Sequence, residues 1–168
     1  MNKSLKVAVI GTGGEWSGLS VARELGRSGN LVYGIFFNTN TISTSSKYFT
    51  KIYKIPQEDS ISLIKMLRII IHREKLSHLI CLDEEIKYML IQNKRKFRAV
   101  KFSFPSENSY EVSLKKNLSS KFVAELGIPV PRTIRIEKFS DIDQLNYDFS
   151  KPLVVKGVRG SSSNHVAY

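Results

Sequence analysis

Apolar positions along the chain alternate between two spacings. Residues 5–10 form a short apolar run that leads into glycines, the pattern of a strand buried on both faces. Leu19, Val21, Ala22 and Leu25 then recur at helical spacing. They predict a helix over 17–28, with Ser17 as its N-cap and Gly29 and Asn30 as its stop. Residues 31–37 are β-branched and aromatic and predict a second strand. Strand, glycine loop, helix and strand in that order form the first crossover of a doubly wound sheet.

The alternation continues past a Ser/Thr-rich loop at 38–46. Residues 48–55 predict a short extended segment closed by Pro56. The clearest helix spans 60–75, where Ile61, Ile64, Leu67 and Ile71 share a stripe flanked by Leu63, Met66 and Ile70. Residues 78–82 predict another strand. The carboxylates of Asp83, Glu84 and Glu85 suit the positive end of the next helix, and Lys94, Arg95, Lys96 and Arg98 its negative end. A further strand is expected at 100–104, ended by Pro105.

Near Glu107 the pattern changes to α+β. One amphipathic helix is expected over 113–126, stopped by Gly127 with Pro129 beyond it. A strand at 130–136, a short helix at 140–145 and a strand at 153–156 follow, and then a Gly/Ser loop at 157–164. The expected fold class is α/β, with a Rossmann-like parallel sheet in 1–108 and an α+β portion in 109–168.

Composition narrows the function classes. The chain has 168 residues, 42% hydrophobic and 24% charged, which is a globular balance. A single cysteine, Cys81, excludes an intramolecular disulfide framework and a thiolate-rich zinc site, and suits a reducing cytoplasm. His72, His78 and His165 lack metal-like spacing, so no metal site is expected. The longest apolar stretch, 61–71, is interrupted by Ser62, Lys65 and Arg68 and cannot span a bilayer, so no membrane partner is expected. The net charge of +11 is spread over several elements without an aromatic-interleaved stripe, which argues against nucleic acid as the partner.

Three motifs could carry chemistry. The first is Gly11-Thr12-Gly13-Gly14-Glu15-Trp16-Ser17-Gly18, between a strand and a helix. It fails as a dinucleotide fingerprint. The third glycine would fall at Trp16, and Phe36-Phe37-Asn38 holds no acidic residue after the second strand. A tight turn, or a seat for a small anionic substrate, remains. Gly13, Gly14 and Glu15 are therefore substrate candidates, together with Asp83 and Glu84 at the carboxyl end of a strand, one of which should cap its helix. Trp16 is expected to pack over the turn, and Cys81 to be inert core. The second motif is Lys156 followed by Gly157-Val158-Arg159-Gly160-Ser161-Ser162-Ser163-Asn164, a point charge before a run of small residues with free backbone donors. Phosphate suits that chemistry, and a flexible surface hairpin is the plain reading. The third is Lys115-Lys116, which alone reads as a solvated helix face.

Taken together, three features resemble the ATP-grasp superfamily. They are Lys116 placed eleven positions before Gly127, the segment Ala124-Glu125-Leu126-Gly127-Ile128-Pro129-Val130-Pro131, and Pro152-Leu153-Val154-Val155-Lys156 with its Gly/Ser loop. The upstream part is similar to the pre-ATP-grasp domain of the same proteins, especially those like the carbamoyl-phosphate synthase large subunit. The shared features are the Gly-rich first turn, the Ser/Thr loop and the strand ending in Leu82-Asp83-Glu84-Glu85. The resemblance covers essentially the whole chain, although the loop carries fewer glycines than many relatives.

This resemblance implies ATP as cofactor, and transfer of its γ-phosphoryl group to a small carboxylate substrate. An amine or a thiol would then attack the acylphosphate. It makes Lys116 and Lys156 the ATP-contacting cations, and Gly157, Gly160, Ser161, Ser162 and Ser163 the lid over the phosphates. It puts the Mg²⁺-holding residues downstream of the lid. The 168 residues alone are then expected to be an inactive N-terminal fragment, pre-ATP-grasp domain plus truncated ATP-grasp domain, whose unpaired sheet edge and exposed apolar surface lead to self-association or to disorder near 151–168. The alternative is a non-catalytic Rossmann-like module that binds a nucleotide or an anionic metabolite.

Overall fold

Strands β1 (Lys6–Gly11), β2 (Leu31–Phe36), β3 (Phe49–Lys54) and β4 (His78–Cys81) form one sheet. All pairings are parallel and the order is β3-β2-β1-β4. Helices α1 (Trp16–Arg27), α2 (Ser60–Glu74) and α3 (Glu84–Gln92) connect them, as the alternating sequence pattern predicts. The structure is a computed structural model. It describes residues 4–11, 16–37, 42–56, 59–102, 104–145, 147–148, 152–160 and 166–167. The chain divides into two units, Met1–Phe104 and Pro105–Tyr168.

In the first unit the sheet is buried on both faces, which is why its strands are apolar runs. Ala8, Ile10, Tyr33 and Ile35 pack with Leu67 of α2 and Leu90 of α3 in the larger core. Val9 and Val32 point the opposite way, toward Ala22 and Leu25 of α1. The buried stripe of α2 is Leu63, Ile64, Leu67, Ile70 and Ile71. Ile61, expected on it, is 80% exposed in the first turn. Asp59 caps this helix, accepting hydrogen bonds from the backbone of Ile61 and Ser62.

Two local expectations for this unit are corrected. Helix α1 starts at Trp16, so Ser17 lies inside its first turn and is not the cap. Among the described residues, the strand expected at 100–104 is reduced to a single parallel bridge between His78 and Lys101. Lys101 donates to Ser77 O (2.8 Å) and accepts from Leu79 N (3.0 Å). Pro105 then brings no N–H to lengthen the pairing.

Helix α1 ends on a left-handed glycine, Gly29 (φ 78°). Its N–H donates to Gly26 O, and that of Asn30 to Leu25 O. Helix α2 ends with the same pair of bonds, but the left-handed position is held by Lys75 (φ 53°, ψ 49°). A side chain there carries a steric cost that glycine avoids. Lys75→Gly is expected to stabilise the chain by about 0.5–1 kcal/mol, read as a higher urea midpoint at unchanged slope.

Glu74, at the end of α2, accepts hydrogen bonds from Tyr53 Oη and, at 3.1 Å, from Lys51 Nζ. These bonds, the Tyr53 one foremost, hold its carboxyl below the usual value of 4.5. A depressed carboxyl stabilises the fold above its unfolded pKa, and that contribution is lost as pH falls through the folded value. Urea midpoints should therefore fall on acidification below about pH 4.5, and Glu74→Gln should flatten part of that fall.

The second unit contains α4 (Glu107–Leu114), α5 (Lys116–Glu125), α6 (Ser140–Asp143) and an antiparallel pair, β5 (Val155–Lys156) with β6 (Val166–Ala167). The single helix expected over 113–126 is two helices, because Lys115 is extended (φ −95°, ψ 109°). Gly127 (φ 76°) closes α5 as expected. The strand expected at 130–136 is not formed. Pro131 has no N–H to give, and Ile134 and Ile136 stay about 40% exposed. Expected strand 153–156 shortens to Val155–Lys156, and helix 140–145 to Ser140–Asp143. Phe122 and Leu126 of the α5 region are more than half exposed, since no second layer covers them within this unit.

Candidate functional site

The break at Lys115 decides what Lys116 can do. As the first residue of α5, Lys116 has a backbone N–H without a helical acceptor. It donates instead to Val158 O at 3.0 Å. Its ammonium donates to Gly160 O at 2.7 Å and to Gly157 O at 3.3 Å. Three hydrogen bonds thus tie the start of α5 to a loop more than forty residues later. Gly160 takes φ 116°, a conformation that a side chain would strain, and so presents its carbonyl to Lys116.

The surroundings hold this geometry. Ser119 Oγ donates to Val112 O (2.6 Å) and Lys115 O (3.3 Å), pinning the α4–α5 junction. Lys115 pairs with Glu111 across one helical turn. The Lys115 hydrogen bond holds the Glu111 carboxyl below the usual range, and Arg159 adds to the effect. Lys156 ends β5 immediately before Gly157 and is exposed. The β5–β6 pair, Val155 with Ala167 and Lys156 with Val166, brackets the loop. Asn117, beside Lys116, has a buried Oδ1 with no hydrogen-bond partner among the described residues.

The result is a concentration of positive character. The Lys116 ammonium and the N-terminus of α5 meet the loop at Gly157–Gly160, and Lys156 adds a second cation one residue before it in the chain. Multiply charged anions suit that chemistry. Of the residues singled out in the sequence, the structure joins Lys116 with Gly157 and Gly160, and places Lys156 next to them in the chain. Ser161, Ser162 and Ser163 lie outside the described residues. Asn117 escapes sequence reasoning, because its only signal is adjacency to Lys116.

The first unit has its own crevice position. The chain order reverses between β1 and β4, where ligands bind in open α/β sheets. The two carboxyl ends are joined by Leu82 N donating to Ile10 O at 2.8 Å. Asp83 caps α3, accepting from Ile86 N at 2.9 Å. Glu84 is exposed in the first turn of α3. Gly13, Gly14 and Glu15 lie outside the described residues. Cys81 is buried. Trp16 is 69% exposed, against the expectation that it packs. Among the described residues, no group of three or more His, Cys, Asp or Glu comes together to hold a metal ion. None of the described helices is long and apolar enough to cross a membrane.

No protein-family model and no curated protein sequence matches the chain. Solved structures do. An ADP complex of N5-carboxyaminoimidazole ribonucleotide synthetase superposes with TM-score 0.74 at 15% identity, over 99% of this chain and 41% of its own. An L-amino acid ligase from Bacillus licheniformis gives 0.72 at 18%, over 95% and 39%. The Staphylococcus aureus N5-carboxyaminoimidazole synthetase complexed with ADP gives 0.69 at 17%, over 97% and 40%. The chain thus spans about two fifths of the length of these structures. All three are ATP-grasp proteins, and at this level of identity the likeness concerns architecture: the chain has the fold of the N-terminal part of an ATP-grasp protein.

Proposed function

We propose that this chain forms the N-terminal part of an ATP-dependent ligase that joins a carboxylate to an amine or a thiol. The domains would be a pre-ATP-grasp domain in 1–108 and the opening of the ATP-binding domain in 109–168. The observation that carries the reading is the contact of Lys116 with Gly157 and Gly160, in the loop that follows Lys156. Neighbours of the same fold were solved with ADP.

The residues present fit a nucleotide polyphosphate. Lys116 and Lys156 offset charge that must leave water as the phosphates are enclosed. Gly157 and Gly160 let the backbone come close to phosphate oxygens, and Ser161, Ser162 and Ser163 add donors in the same loop. In the structure Lys116 is satisfied by two carbonyl oxygens. Phosphate oxygens, carrying full charge, are stronger acceptors and would replace them. The nucleotide, when bound, supplies the phosphoryl group that activates the carboxylate. Mg²⁺ belongs to the whole ligase. Asp83 and Glu84, at the carboxyl end of β4 beside the reversal point, and Gly13, Gly14 and Glu15, which follow β1 in the sequence, are assigned to the carboxylate substrate. The finer likeness to the carbamoyl-phosphate synthase large subunit rests on the sequence motifs alone.

The reading is tested by calorimetric titration with ATP, ADP and AMP. Affinity should rise with each added phosphate and fall with salt. Equal affinity for all three would place recognition on the nucleoside and remove the role given to the lysines. A second reading, a non-catalytic module binding an anionic metabolite at the β1–β4 crevice, draws on the strand order.

A further inference from the structure

We propose that the β4 edge of the first unit, on the side of α1, docks an acidic amphipathic helix from a protein partner. The proposal is independent of the nucleotide reading and rests on a partly apolar groove with a cationic border. In a doubly wound sheet, helices cover both faces of the strands. Here α2 and α3 pack on one face. On the other, α1 lies over β1 and β2 through Ala22, Val21 and Leu25. Val7, His78 and Lys101 follow one another in register across β1, β4 and the bridge; Val7 is buried, His78 is half-buried, and the row opens to solvent at Lys101.

A groove of about 670 Å³ occupies this position, between Leu25 and the segment 97–102. Leu5, Ile80 and Phe102 give it partly exposed apolar surface, while Val7 and Val100, which also line it, are buried. Leu5 is 41% exposed. Lys94, Arg98 and Lys101 also line it, and all three are exposed.

The charge around the groove is one-sided. No acidic residue occurs between Glu85 and Glu107, a stretch that contains Lys94, Arg95, Lys96, Arg98 and Lys101. None of these five cations makes an ion pair among the described residues. The reading of 94–98 as a helix C-terminus is also weakened, because α3 ends at Gln92 and Lys94–Phe97 is a separate short 3-10 turn.

Apolar floor and cationic border together call for an apolar stripe flanked by carboxylates. An added strand is disfavoured as the occupant, because Lys101 already takes up the β4 edge at Ser77 O and Leu79 N. A helix fits the groove, with its stripe on Leu5, Ile80 and Phe102 and its acids at Lys94, Arg98 and Lys101.

The test uses the full chain and a fluorescent synthetic peptide of about five turns, with Leu or Ile at i, i+3, i+4 and i+7 and Glu elsewhere. Anisotropy titration should give a dissociation constant of about 1–100 μM, rising with salt. The triple variant Lys94→Glu, Arg98→Glu, Lys101→Glu should bind at least about tenfold more weakly, while melting like the parent. The same variant should gain affinity for a peptide with Lys in place of Glu. Equal binding of the acidic peptide to parent and variant, or no binding to the parent, would overturn the proposal. Two results would reassign the face and also overturn it. One is charge-dependent binding to anionic vesicles that the peptide does not displace. The other is a parent dimer in sedimentation velocity that the triple variant abolishes.

Discussion

A Lys116→Ala variant is expected to bind ATP about ten- to hundredfold more weakly than the parent chain, from the loss of one charge-assisted contact. Its first unit should melt unchanged, because Lys116 belongs to the second unit. The same substitution removes the two bonds to Gly157 O and Gly160 O and keeps the backbone bond from Lys116 N to Val158 O. Amide hydrogens at 157–160 should therefore exchange faster even without nucleotide. Lys116→Arg should restore part of the affinity, because it returns the charge with a different donor geometry. If Lys116 were an ordinary solvated helix residue, neither affinity nor exchange would move. Hydrogen exchange and calorimetry on the same three proteins decide between these outcomes.

Gly34→Ala is expected to destabilise the first unit by about 1–3 kcal/mol, although removing a glycine from a strand should by itself help. A Cβ at this position would lie 2.5 Å from Phe36 Cε2. The ring has nowhere to go. Phe36 is fully buried and meets Phe49 edge-on, with centroids 5.5 Å apart. Phe36→Leu costs stability on its own but removes the ring atoms that collide. The double variant should therefore show a favourable coupling of about 1–2 kcal/mol in a urea cycle. Additive effects, or a Gly34→Ala protein as stable as the parent, would show that the strand relaxes around the new methyl.

Much of the first unit was legible because its patterns are local and strong. The run Val7, Ala8, Val9 and Ile10 reads as a doubly buried strand, and both cores confirm it. The α2 stripe was rotated in the reading, since Ile61 has the right spacing but precedes the part of the helix that meets the sheet. The strand expected at 100–104 meets the β4 edge, among the described residues, at Lys101 alone. In the second unit, apolar periodicity promised more than the fold delivers. Strand propensity at 130–136 has no ladder to join, and α5 buries none of its residues.

The candidate site was legible only in part. The sequence put Lys116 and the Gly157 loop on the same page, but the extended residue that frees Lys116 is Lys115, a lysine with no sequence signature for a helix break. Asn117 and the torsion of Gly160 emerge only from three-dimensional packing.

The most direct test is a nucleotide titration followed residue by residue in heteronuclear NMR spectra of the chain and of Lys156→Ala and Gly13→Val. The account predicts ATP-dependent shifts at Lys116, Asn117, Gly157 and Gly160, lost in Lys156→Ala and retained in Gly13→Val. Shifts confined to Gly11, Trp16 and Ser17, indifferent to Lys156→Ala and abolished by Gly13→Val, would contradict it and move the nucleotide to the β1–β4 crevice.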